Sequence, residues 1–479
     1  MRGRYAQTTV PEICTLTRTL LAALLLSSAA MPALAEDAPQ HPVAGPKAKN
    51  VILFIGDGMG ISTITAARIY AGQKQGQTGE EFQLSFEKFE NVALVKTYNT
   101  NAQVPDSAGT ATAMHSGVKT RIGVLGIGPE AEKGVCKDAL AHPLPLLGEE
   151  VKRRGLALGI VTTTRLTHAT PASVYSRSAD RDWEADSNIP ADQQHGCKDI
   201  ALQLAESRFD VAMGGGTAMF YGKNGGGRRT DAAADLPAAW AAKNGGVVVK
   251  DAAALWAAPM DKPVLGLFNP GHMNFMAERK PDSNEPTLTD MTAVAIARLK
   301  ADPDGFYLMV EGGRIDHAHH AGQAGFALEE AAEFARAVQY AVKHTDPNET
   351  LIMVTADHSH VLTIAGYPKR GNDILGLVVP PAGRGEDGGD GNTPALASDG
   401  KPYATLGYAN GPGAVSGERP LPQTGIAARQ QSLVPTGAET HGGEDVALFA
   451  TGPGAQAARG VIEQNVIYTI IRKALGWEK

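Results

Sequence analysis

Apolar residues fall in five short continuous runs: VILFI at 51–55, LALGIV at 156–161, FYLMV at 306–310, LIMV at 351–354 and VALFA at 446–450. A continuous run, unlike an alternating one, suits a strand buried on both faces, as in a parallel sheet. Helical patterns lie between them. Residues 323–344 are rich in alanine and glutamate, 461–475 read as a C-terminal helix, and 108–114 can extend a helix started by Asp106 and Ser107. The stretch 232–262 alternates alanine-rich helix with short strand signals. The glycine-rich stretch 211–231 fails as a phosphate loop, since Asn224 follows Gly222-Lys223 and Thr217 stands where the first glycine belongs. Strands alternating with helices predict an α/β fold: a central, largely parallel sheet with helices on both faces.

Composition narrows the class. A chain of 479 residues, 43% hydrophobic and 20% charged, can bury a large core. Residues 1–35 read as an export signal: Arg2, Arg4 and Arg18 precede an apolar run too short to span a bilayer comfortably, and Ala33-Leu34-Ala35 offers a small-x-small cleavage site. A retained N-terminal anchor is the competing reading. The polar, proline-rich residues 36–48 read as a flexible lead-in, leaving 49–479 as a single domain. Formal net charge is −7, and loss of the signal leaves −9. That balance, without basic runs, argues against nucleic-acid binding. No other stretch is apolar enough to cross a membrane, so the mature chain is expected to be soluble and exported, to the periplasm or beyond. Of three cysteines, Cys14 lies in the signal. Cys136 and Cys197 remain, either as one disulfide or as two buried thiols.

The chemistry clusters where strands end, the place where open α/β sheets bind ligands. Asp57 follows the first run, between Gly56 and Gly58. Glu311 ends the third run, and Asp357 and His358 follow the fourth. Asp316 and His320 are four apart on a predicted helix and so share a face, a recurrent metal-ligand spacing. His317, His319 and His320 crowd four positions, which favours a metal role over plain surface. His360 is better read as orienting a ligand or packing than as binding metal. Thr170 can offer a hydroxyl to a hard cation, with His168 beside it, and His441 precedes the last strand. Ser107 at a helix start sits among unpaired backbone N–H groups, a cradle for phosphate. An arginine, Arg181 or else Arg177, can grip phosphate oxygens in two-pronged fashion. Nitrogen and oxygen ligands without thiolates suit zinc, and an all-oxygen subset suits magnesium.

The segments PDSAGTATA, VEGGRIDHAHH, TADHSH and ETHGGEDVA, in order from Asn50 to about Pro453, resemble the signatures of the alkaline phosphatase family. The resemblance implies Ser107 as nucleophile, with Asp106 beside it, and Arg181 as phosphate clamp. It implies one zinc on Asp316, His320 and His441, and a second on Asp57, Asp357 and His358. A magnesium would sit on Asp57, Thr170 and Glu311, making two zinc ions and one magnesium. Histidine at 168 and 317, where the best-known bacterial members have aspartate and lysine, resembles the animal-type branch and some marine bacterial enzymes. Such a site should hold magnesium more weakly. The glycine- and proline-rich insert 369–435 resembles that branch's crown, a loop domain at a dimer interface, so a homodimer is expected. The pair Cys136–Cys197 resembles one of its disulfides. The branch also has a calcium site, with glutamate after the phenylalanine of the segment matched by GLFNPG; Asn269 stands there, and a match of Glu285 to another ligand is not enough to assign calcium.

The leading expectation is an exported phosphomonoesterase working through a phosphoserine. A phosphodiesterase or sulfatase relative shares the two-metal core, but the latter needs a CxPxR-like motif that Ser107-Ala108-Gly109 lacks. A periplasmic phosphate- or zinc-binding protein would need no nucleophile.

Overall fold

A computed structural model describes residues 47–194, 196–383 and 389–477. The export signal and nearly all of the lead-in lie outside these residues. The strands are β1 Asn50–Gly56, β2 Asn91–Lys96, β3 Ala157–Arg165, β4 Val211–Gly215, β5 Val247–Val249, β6 Val264–Leu267, β7 Phe306–Gly312 and β8 Thr350–Ala356. There follow β9 Ser359–His360, β10 Leu362–Ile364, β11 Leu406–Gly411, β12 Ser432–Pro435, β13 His441–Gly442, β14 Val446–Thr451 and β15 Gly460–Glu463. The helices are α1 Ile61–Gln73, α2 Ser107–Ser116, α3 Cys136–Ala141, α4 Leu147–Arg153, α5 Ala169–Ala172, α6 Ile200–Glu206 and α7 Thr217–Phe220. The rest are α8 Leu236–Asn244, α9 Ala252–Ala257, α10 Leu288–Leu299, α11 Arg314–His320, α12 Ala324–His344 and α13 Val466–Ala474.

Ten strands make one sheet in the order β15-β2-β14-β8-β1-β7-β3-β4-β6-β5. It is parallel except around β14, which runs antiparallel to both β8 and β2. Every residue of β1, β7 and β8 is buried, which is why their sequences are continuous apolar runs. Helices α1, α10 and α12 pack together over the sheet, and α2, α4, α5 and α13 form the other group. Phe334 of α12 meets Phe54 and Phe86 edge-on, with ring centroids 5.8 and 6.2 Å away.

Register decides where the chemistry lands. Ile55 lies beside Glu311 and Thr355, and Gly56 beside Gly312 and Ala356, so Asp57, Glu311 and Asp357 emerge at one edge. Because β14 runs the other way, its start lies at that same edge, and His441 just before it arrives there too. The two-stranded β13–β9 pair sets His441 opposite His360.

The expected helix over 461–475 is corrected. Residues Gly460–Glu463 form β15, an edge strand parallel to β2, and only Val466–Ala474 is helical. The pairing of Val461 with Leu94 is a contact between distant segments that local periodicity does not encode. Within 369–435, the described residues include β11 and β12, which join β10 in a small three-stranded sheet. Among the described residues no helix is long and apolar enough to cross a membrane.

Candidate active site

Ser107 is the first residue of α2, all of whose residues are buried. Asp106 caps the helix, accepting from Gly109 N at 3.1 Å. Its other oxygen accepts from Arg181 Nη1 at 3.1 Å, and this cation holds the Asp106 carboxyl low against the cost of burial. Arg177 is elsewhere: its guanidinium takes both oxygens of Glu149, at 2.6 and 2.7 Å. Of the two arginines, the structure brings only Arg181 to Ser107.

Three groups of potential ligands gather around the serine: Asp316, His320, His360 and His441; Asp57, Asp357 and His358; and Asp57, His168 and Glu311. In the first, His320 Nδ1 faces the carbonyl of Glu439 at 2.5 Å and His441 Nδ1 that of Pro105 at 2.8 Å. A carbonyl can only accept, so in the neutral rings each Nδ1 carries the proton and each Nε2 presents a lone pair. Yet the two Nε2 atoms are 3.1 Å apart, and each lies within 3.4 Å of Asp316 Oδ1. Lone pairs facing one another and a carboxylate call for a cation between them. In the second group His358 Nδ1 faces Ser359 O at 3.2 Å, leaving Nε2 towards Asp357 Oδ2 at 3.2 Å, Asp57 Oδ1 at 3.4 Å and Ser107 Oγ at 3.1 Å.

The electrostatics agree. Burial, then the charges of Asp357, Asp316 and Glu311, push the Asp57 pKa well up. Burial likewise raises Asp357, and Glu311 to about 7. Both oxygens of Asp57, Asp357 Oδ2, Glu311 Oε1, Thr170 Oγ1 and His168 Nδ1 are buried without a hydrogen-bond partner in the protein. The orphaned carboxylate oxygens among them are costly to bury unless cations satisfy them. The residues fit metal.

Of the crowded histidines, only His320 joins a ligand group with Asp316. His319 is buried in the core between Thr63 Oγ1 at 3.0 Å and Tyr408 OH at 2.7 Å. His317 points the other way, its ring 5.5 Å from His168 and 4.1 Å from His272. His360 lies within reach of the first group, but its Nε2 is 2.8 Å from Asp316 Oδ1 and its Nδ1 2.5 Å from Glu439 Oε2. Against burial, these two carboxylates raise it to about 10. Sequence reasoning missed Glu439 and His272. Glu439 had a signal, an acid two positions before His441; His272 had none. At Gly58, with φ of 69°, a Cβ would strike the His360 ring at 2.4 Å, so only glycine lets β1 end this close.

Glu285, weighed above for calcium, is already occupied. Asn269 Nδ2 and Asn274 Nδ2 donate to Oε1 at 2.6 and 2.9 Å, Asn274 N donates to Oε2 at 2.9 Å, and Arg279 stands 3.4 Å away.

Cys136 and Cys197 form a disulfide, with Cα atoms 5.8 Å apart.

A parallel sheet presenting a helix-start serine, an arginine and clustered carboxylates and imidazoles defines a class, the metal-dependent phosphoryl-transfer hydrolases. The family model for alkaline phosphatase matches residues 48–477, and the chain belongs to the alkaline phosphatase family. It is 46% identical over 448 residues to the tissue-nonspecific alkaline phosphatase isozyme of Gallus gallus, covering 88% of this chain and 83% of that one. The Homo sapiens isozyme is 44% identical over 447 residues, covering 88% and 82%. The solved alkaline phosphatase of Thermus thermophilus superposes with a TM-score of 0.67 at 25% identity, covering 91% of this chain and 93% of that one. The protein is a metal-dependent phosphomonoester hydrolase.

Proposed function

We propose that hydrolysis proceeds through a phosphoserine on Ser107, with Arg181 as the phosphate clamp. The observation that carries this reading is the place of Ser107 Oγ, at a helix N-terminus and 3.1 Å from His358 Nε2. The serine oxygen attacks phosphorus as the ester P–O bond breaks and the alcohol departs; water then cleaves the Ser107–phosphate bond and frees inorganic phosphate. Arg181, held by Asp106, and the α2 N–H groups orient the phosphoryl oxygens and offset their charge. Asp316, His320 and His441 would hold one zinc, and Asp57, Asp357 and His358 the other. When bound there, such ions would lower the pKa of the serine hydroxyl and stabilise charge on the leaving oxygen. His168 Nε2 faces Arg181 Nη2 at 3.1 Å. A guanidinium only donates, so the neutral ring carries its proton on Nδ1. That leaves Asp57, Glu311 and Thr170 as an all-oxygen set suited to magnesium, with His168 and His317 outside it. The bonded state of Glu285 supports no calcium there. The disulfide fits an exported, oxidising setting, and we read the protein as periplasmic or secreted and as a homodimer.

The test compares wild type and Ser107→Ala, both loaded with zinc and magnesium, on p-nitrophenyl phosphate. Loss of about 10³-fold or more in kcat at equal zinc content is expected, with acid-stable phosphoenzyme trapped only in the wild type. Phosphoenzyme formation by Ser107→Ala would overturn the assignment.

A further inference from the structure

Arg181 lies on no helix or strand of the main sheet; it sits in a turn after the Leu125–Ser178 bridge. Its backbone N donates to Gly123 O at 2.9 Å. Nearby, Ser178 exchanges two bonds with Leu125, and Gly134 N donates to Ala179 O. All these partners lie in 123–134, the segment that leads into Cys136 at the head of α3. Side chains from both stretches, among them Val124, Ile127, Ala179 and Trp183, make a small core separate from the main one, and the disulfide lies in it. The far end of the bridge, Cys197, precedes α6, whose Ile200 and Leu204 belong to the main core. The guanidinium reaches back to the main body, to Asp106 on the serine helix and to His168. The head of Arg181 therefore works against the main body while its own backbone bond goes to the small-core segment; downstream, Ile200 N and Ala201 N of α6 bond Trp183 O and Glu184 O at 2.9 and 3.1 Å, beside the bridge.

We propose that the Cys136–Cys197 disulfide is a positioning element for Arg181, setting phosphate affinity by fixing the small core against the main one. This rests on the clamp reading of Arg181. This core has eight buried residues, three of them alanine, so it buries little apolar surface of its own and depends on the few links that tie it to the main body, the bridge among them. Without the bridge the turn bearing Arg181 shifts, and a displacement of about 1 Å is enough to weaken a two-pronged contact severely.

The experiment is a double-mutant cycle between Cys136→Ala/Cys197→Ala and Arg181→Ala in the zinc- and magnesium-loaded protein. It reads zinc content, KM, kcat and competitive inhibition by inorganic phosphate. Bridge removal should raise KM and the phosphate inhibition constant about tenfold at unchanged zinc content. In the Arg181→Ala background the same removal should change both by less than about twofold. Equal losses in the two backgrounds would overturn the proposal, as would no loss on bridge removal. If Arg181→Ala alone leaves phosphate inhibition unchanged, the clamp reading is what fails. Should the bridge-free protein not fold, opening the bridge of the already folded, metal-loaded wild type and Arg181→Ala with a non-chelating phosphine reductant, confirmed by thiol count, runs through the same cycle with the same outcomes deciding.

Discussion

On the proposed assignment of a zinc to Asp316, His320 and His441, Glu439 should control the zinc affinity of that site. Its carboxylate is wholly buried; Oε1 accepts from Val361 N at 2.8 Å and Oε2 meets His360 Nδ1 at 2.5 Å. His360 in turn meets Asp316 Oδ1 at 2.8 Å, so the side chain aims a ligand through one intermediary. The main chain of Glu439 acts separately, bonding His320 O and His320 Nδ1, and survives any substitution. Loss of such an outer carboxylate costs about 10- to 100-fold in metal affinity, or about 1.4–2.7 kcal/mol. Glu439→Ala should therefore weaken one zinc by that factor. The second zinc proposed on Asp57, Asp357 and His358, which Glu439 does not touch, should change by less than about threefold. Glu439→Gln keeps an acceptor for Val361 N and should fall between. Competition with a zinc chelator, resolving two binding steps, measures all three proteins. Equal weakening of both steps, or none, would refute the reasoning.

The remaining expectations are more compact. Magnesium should be held loosely on two carboxylates and a hydroxyl, so enzyme dialysed free of magnesium should gain activity when it is restored; no gain would contradict the weak-site reading. Burial raises the Glu330 pKa from 4.5 to about 7, and Met276 N, Arg279 and Arg314 only partly offset this. Between those values the folded protein keeps a proton that the unfolded chain has lost, so stability falls as pH rises through the window, by up to about 3 kcal/mol. Glu330→Gln lacks that loss, and its urea stability relative to wild type should climb from pH 5 to pH 8; a flat difference would sink the idea. Phe334→Ala opens a void between Phe54 and Phe86 and should cost about 3–5 kcal/mol in urea unfolding.

Much of this molecule is written locally. The buried runs 51–55, 306–310 and 351–354 could only be central strands, Asp106-Ser107 could start a helix, and the Asp316–His320 spacing shares a face whatever surrounds it. These are properties of a few successive residues, set by side-chain period and capping. The limits of that information show in the same segments. Nothing in DHAHH says that His319 turns to Thr63 and Tyr408 and His317 to His272, since each of these partners comes from a distant segment. Nor does spacing separate Arg181 from Arg177, which differ only in whether Asp106 or Glu149 lies within reach. Strand register and the reversed direction of β14 bring Asp57, Glu311, Asp357 and His441 to one edge, and both arise from pairing between segments tens to hundreds of residues apart. Residue type and period determined which side chains could do the chemistry. Tertiary pairing decided which ones meet, because a ligand set is a coincidence of positions that no single segment contains.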